Sequence, residues 1–99
     1  MQNEKVFLVR FFLRLTELVC EWKTDKTYTS NRGQKIVEPK PATEEDCVES
    51  CKKERENDPS LNGIVRYPYN NMCWCVTRME GQKEAELTNI CYFEGRSFN

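Results

Sequence analysis

The chain has 99 residues, 38% apolar and 31% charged, with a formal net charge of −1, six cysteines and no histidine. This length gives one domain with a core too small for burial alone to make it secure, the situation in which small secreted domains recruit disulfides. Lys and Arg scattered among carboxylates speak against a nucleic-acid partner, and the missing histidine removes both mixed Cys/His zinc sites and the commonest general base.

In chain order, residues 1–19 combine Lys5 with an apolar run, Val6 to Leu15, that is broken by Arg10 and Arg14. Two readings stand open. One is a degenerate or mis-started secretory signal, since no small-x-small pair precedes Cys20. The other is an amphipathic helix, folded or lying on a membrane surface, because Arg10, Arg14 and Glu17 share one helical stripe. The segment is too short and too charged to span a bilayer, and any membrane contact is expected through it alone.

The disulfide-rich domain is expected over residues 20–93. Glu21 to Tyr28 reads as a strand with Trp22, Thr24 and Tyr28 on one face. Ser30 to Gly33 is a turn cluster, Gln34 to Val37 a second short strand, and Pro39 and Pro41 block regular structure. Thr43-Glu-Glu-Asp46 is a helix start: Thr43 can cap exposed amides, Asp46 stands at the capping-box position, and three carboxylates suit the positive end of the dipole. The helix should run over about 43–56 and end by Asp58-Pro59.

Within that helix Cys47 and Cys51 stand on one face, about 6 Å apart at ~1.5 Å per residue. In a strand Cys73 and Cys75 share a face at roughly 6.7 Å. The two pairs are commensurate, so a helix across a sheet could be stapled twice within the Cα separations of ~5.5–6 Å that disulfides prefer. Little else on the helix is apolar beyond Val48, which makes covalent attachment the expected anchor.

Asn62-Gly63 opens a strand through Tyr67, and Pro68 to Asn71 turns into Met72 to Arg78. Alternation sends Trp74 and Val76 to the face opposite the cysteines. Glu80 to Glu86 reads as a loop, Leu87 to Phe93 as the last strand, and residues 94–99 as a tail. The fold class is α+β: a small disulfide-rich domain with one helix on an antiparallel sheet.

The sequence shows no nucleophile motif, phosphate-cradling loop, EF-hand or N-glycosylation sequon, so neither catalysis nor a cofactor is expected. CxxxC followed by CxC lacks the CxxC knuckles of all-cysteine metal sites, and CxC in strand-like sequence reads as structural rather than redox-active. The aromatic residues are the binding candidates, with Tyr69 in a turn the most exposed of them. Arg66, Tyr69 and Trp74 form the expected contact set, Arg66 and Trp74 on a shared face.

Cys20 with its Trp/Tyr-bearing strand, Thr43 to Cys51 as the single helix, Asn62 to Tyr67 as a central strand, Cys73 and Cys91 together resemble the PAN/Apple family over about three quarters of the chain. The resemblance implies a bond between Cys20 and Cys91, and helix cysteines bonded to the sheet. That family usually carries a cysteine shortly before the central strand; here Pro59 to Asn62 has none and Cys75 is present instead. The inferred pairs are Cys47 with Cys73 and Cys51 with Cys75, a choice over the crossed pairing that the spacing alone does not make. What the resemblance implies for function is a secreted, non-catalytic module that captures an extracellular protein or carbohydrate. WSC-type domains, similar in cysteine order, would imply a glycan. CxxxC then CxC is also similar to the cysteine-stabilised αβ motif of scorpion-type toxins and defensins, which would imply action on ion channels.

Overall fold

The computed structural model describes residues 16–97, with side chains placed from 19 to 94. The readings for residues 1–15 lie outside the described residues. Elements follow in the order β1 (Thr16–Thr27), β2 (Gly33–Ile36), α1 (Glu44–Asn57), β3 (Leu61–Tyr67), β4 (Met72–Thr77) and β5 (Lys83–Ser97). The strands form one antiparallel sheet of order β1-β5-β3-β4-β2, so the fold is a small disulfide-rich α+β domain.

The helix starts where its capping chemistry places it. Thr43 is extended (φ −134°, ψ 164°) and its Oγ1 accepts from the Asp46 amide at 3.0 Å. At the other end the Asp58 amide donates to the Glu54 carbonyl, and the Asp58 carboxylate then accepts from both the amide and the hydroxyl of Ser60. Only Cys47 and Cys51 of α1 are fully buried. They bond to Cys73 and Cys75 with Cα separations of 6.0 and 5.4 Å, which fixes α1 over β3 and β4. Arg55 in the last turn adds a hydrogen bond to the Leu61 carbonyl and lies over the Phe93 ring, 5.9 Å from its centroid.

The two faces of the sheet bury separate clusters. Beneath the helix lie Leu61, Ile64 and the cysteines, with Trp22, Val48 and Phe93 packed around them. On the opposite face Val65, Val76, Met79 and Ile90 are covered by Tyr28, Tyr67, Trp74 and Tyr92. Among the described residues no helix covers this second cluster, and a bend in the β1–β5 ribbon closes it. Thr24 pairs with Asn89 but Lys26 pairs with Glu84, so two steps of β1 are matched to five of β5. Asp25 (φ 55°) and Leu87 (φ 56°) take left-handed backbone at this corner. A straight ribbon would carry Lys83 about 20 Å past Asn89, away from Gly63, at ~3.3 Å per residue. Instead the hydroxyl of Tyr92, which opposes Gly63, donates to the Gly81 carbonyl at 2.7 Å. The ribbon therefore folds back over the second face, and the sheet curls around its own core.

The pairing of β1 with β5 corrects three sequence expectations. Trp22 and Tyr28 do not share a face: the bulge at Asp25 reverses the alternation, leaving Trp22 under the helix and Tyr28 in the second cluster. Strand β5 begins at Lys83 rather than Leu87, because pairing with Lys26 and Thr27 imposes extension on a loop-like sequence. Residues 94–97 are not a tail, since Glu94 to Ser97 pair with Val19 to Thr16. Thr16 to Val19, within the stretch expected as a leader or amphipathic helix, form the start of β1.

Gly63 marks the tightest point of the second cluster. A Cβ there would stand 2.9 Å from the Cys91 carbonyl oxygen and inside the Met79 side chain. Gly63→Ala is accordingly expected to cost about 1–3 kcal/mol through overpacking, read as a lower urea midpoint at unchanged slope.

Candidate functional site

Strand β3 ends at Tyr67, and the turn that follows is shaped by asparagine. The Asn70 amide donates to the Tyr67 carbonyl, the Asn70 side chain accepts from the Met72 amide at 3.1 Å, and Asn71 supplies the left-handed residue at φ 61°. Tyr69 is held at the tip with 65% of its surface exposed. Its ring stacks on Tyr67 at 5.9 Å, and Tyr67 meets Trp74 edge-on at 5.1 Å, arrangements that aromatic quadrupoles favour. Trp74 opposes Ile36 of β2, which is itself 36% exposed. Tyr69, Tyr67, Trp74 and Ile36 thus form one apolar ridge from the turn to the β2 edge.

Arg66 is not part of that ridge. It lies opposite Cys73, on the helix side of the sheet, and only 8% of its surface is exposed. Alternation forces this: Val65 and Tyr67 point into the second cluster, so the residue between them must face the helix. The guanidinium Nη2 donates to Asn71 Oδ1 at 2.9 Å, while the buried Nε has no hydrogen-bond partner. A buried donor without a partner costs stability. Arg66→Met should therefore melt within about 1 kcal/mol of the parent or above it, whereas a polar truncation that leaves a cavity should melt lower.

The remaining expected residues lie where the cysteine pattern puts them. Cys20 bonds to Cys91 with a Cα separation of 5.4 Å, tying β1 to β5, and no described cysteine is free. The bond that the family resemblance implied is thus present, as are both inferred helix-to-sheet bonds. Ile36 is the ridge member that sequence reading missed. Its only signal was a place in a short strand, and its value depends on the β2–β4 register, which nothing local specifies.

Two tyrosines bordering the ridge side are perturbed. Burial pushes the hydroxyls of Tyr28 and Tyr92 above their ordinary pKa of 10.0, with Tyr67 adding to the first and Glu80 to the second. A raised pKa favours the neutral form in the fold. Their contribution is complete below about pH 10 and is lost as pH rises through the raised values, so alkaline unfolding should coincide with phenolate absorbance. Hydrogen bonds to Gln34 and Gly81 reinforce the neutral forms.

Among the described residues no group of three or more His, Cys, Asp or Glu side chains is arranged to hold a metal ion, and no helix is long and apolar enough to cross a membrane. Three disulfides in so short a chain are typical of extracellular proteins. Fold and ridge together define a disulfide-stapled α+β domain with a fixed aromatic surface. No protein-family model matches the chain, and no curated protein or solved structure matches it either.

Proposed function

We propose that this is a secreted, non-catalytic binding module whose contact surface is the ridge of Tyr69, Tyr67, Trp74 and Ile36. The observation that carries this reading is the exposed Tyr69 ring stacked on Tyr67, presented from strands that two disulfides fix to a helix. Large aromatic side chains on a rigid base lose little freedom on contact, and they dominate binding hot spots. The ridge favours an extracellular protein over a carbohydrate. Trp74 meets Tyr67 edge-on and its neighbour is a branched aliphatic side chain, so the surface is an irregular apolar strip rather than a flat platform for a sugar ring.

Arrays of extracellular proteins and of glycans, probed with the folded chain beside Tyr69→Ala and Ile36→Thr variants, test the proposal. Both residues are exposed, so the variants should keep the parent's melting temperature while binding to a protein target falls about tenfold or more. Recognition of a glycan would replace the partner class. Any detected interaction that both variants leave unchanged would remove the ridge as the contact surface.

A further inference from the structure

The aromatic ridge carries polar groups that its own packing does not use. Elsewhere on this face the tyrosines are satisfied: the Tyr28 hydroxyl donates to Gln34 Oε1 at 2.9 Å and the Tyr92 hydroxyl to the Gly81 carbonyl at 2.7 Å. Among the described residues the hydroxyls of Tyr67 and Tyr69 and the indole N–H of Trp74 have no such partner, and none of the three is sealed from solvent. None of Tyr69, Tyr67, Trp74 and Ile36 is charged. The ridge is therefore apolar in its body and offers three donors at its tips.

The backbone beneath is closed to a ligand. Tyr67 and Trp74 rise from β3 and β4, both interior to the sheet, so an incoming peptide meets side chains only. It must bring acceptors, and any N–H it brings finds no main-chain carbonyl in return. A helix has spent its carbonyls internally except in its last turn, and an extended strand brings an N–H with almost every carbonyl. A polyproline II segment keeps its carbonyls free, and each proline in it removes an N–H.

We propose that the partner presents a proline-rich segment in the polyproline II conformation, uncharged where it touches, with prolines three residues apart; this rests on the ridge being the contact surface. The centroid steps of 5.9 and 5.1 Å put Trp74 within about 11 Å of Tyr69, roughly one turn of such a helix, three residues at ~3.1 Å each. Prolines at i and i+3 then fall over Tyr69 and Trp74, and carbonyls of the turn between them accept from the Tyr67 hydroxyl and the Trp74 indole. Both surfaces are stiff before they meet, so little ordering opposes the contact.

The test uses the folded chain and two labelled peptides of about ten residues, built from Pro, Ala and Gln in the same proportions and titrated to about 1 mM. One carries three prolines at every third position. The other carries them at alternate positions, so that no two share a face of the polyproline helix. The first should bind, and the second about tenfold or more weakly. In NMR spectra the Trp74 indole N–H should move with the first peptide, while that of Trp22, on the other face of the sheet, stays in place. Tyr67→Phe/Tyr69→Phe removes only two hydroxyls, so the melting temperature should hold while affinity falls about fivefold or more, a loss that a purely apolar contact would not show. No binding of the first peptide, equal binding of the two, movement of Trp22 instead of Trp74, or indifference to the Phe pair would each overturn the proposal. In any of these cases a protein target lost on Tyr69→Ala would keep the ridge and replace only the partner's chemistry, whereas a target indifferent to both Tyr69→Ala and Ile36→Thr removes the ridge itself.

Discussion

A Cys20→Ser/Cys91→Ser chain is expected to melt about 20 °C below the parent while keeping its helix. The bond closes the longest loop, a separation of 71 residues, and constraining such a loop in the unfolded chain contributes roughly 4 kcal/mol in the chain-entropy account. The loop is effectively shorter while Cys47–Cys73 is intact, but the dependence on length is logarithmic and the contribution hardly changes. In a domain of this size 1 kcal/mol moves the midpoint by about 4–8 °C. The helix survives because both of its anchors are to β4. Circular dichroism should show a lower midpoint with an undiminished helical signal at low temperature. A midpoint within a few degrees of the parent would mean that hydrogen bonding along β1 and β5 holds the ribbon without the bond.

Removing the other two bonds should have the opposite signature. With Cys47, Cys51, Cys73 and Cys75 all changed to Ala, the helical signal is expected to disappear together with the cooperative transition. A separation of 26 residues corresponds to about 3.5 kcal/mol, and the second bond, whose effective loop is short once the first is closed, adds roughly 2 kcal/mol, a sum comparable with the ~5–15 kcal/mol net stability of a whole domain. No apolar face stands in reserve. Cys47 and Cys51 are the only fully buried residues of α1, and an isolated helix of 14 residues is marginal in water. Detachment would also uncover Leu61 and Ile64. The variant should bind a hydrophobic dye and broaden its amide NMR spectrum. A sharp transition with retained helicity would show that packing, not the covalent staple, docks α1.

Features carried by short-range chemistry were readable in the sequence. Thr43 announced the helix, the two cysteine spacings announced the staple, and the period of two in β4 placed Trp74 opposite Cys73 and Cys75. The corner at Asp25 and Leu87 was not readable. Left-handed backbone there falls on an aspartate and a leucine instead of a glycine, and it is held by long-range bonds, the Leu87 amide to Asp25 Oδ1 and the Asp25 amide to Asn89 Oδ1. That corner puts Tyr28 on the second face and brings Lys83 to Glu86 into β5. Arg66 failed for a related reason. Expected on a shared face with Trp74, it stands opposite Cys73 instead, because alternation between Val65 and Tyr67 turns it toward the helix. Tyr69 could be placed outside because a Pro/Asn turn leaves its central side chains uncovered.

Asn62 and Gly63 form the dipeptide most prone to spontaneous deamidation, in which the glycine amide nitrogen attacks the asparagine side chain to close a succinimide. The fold holds that side chain in a double clasp: Nδ2 donates to the Met79 carbonyl at 3.0 Å and Oδ1 accepts from the Met79 amide at 2.7 Å. The carboxamide cannot swing toward its neighbour without breaking both bonds, and Gly63 is buried between β4 and β5. Chemical ageing at this position therefore waits on opening of the structure, and the rate at which stored protein acquires the extra acidic charge becomes a clock for that opening.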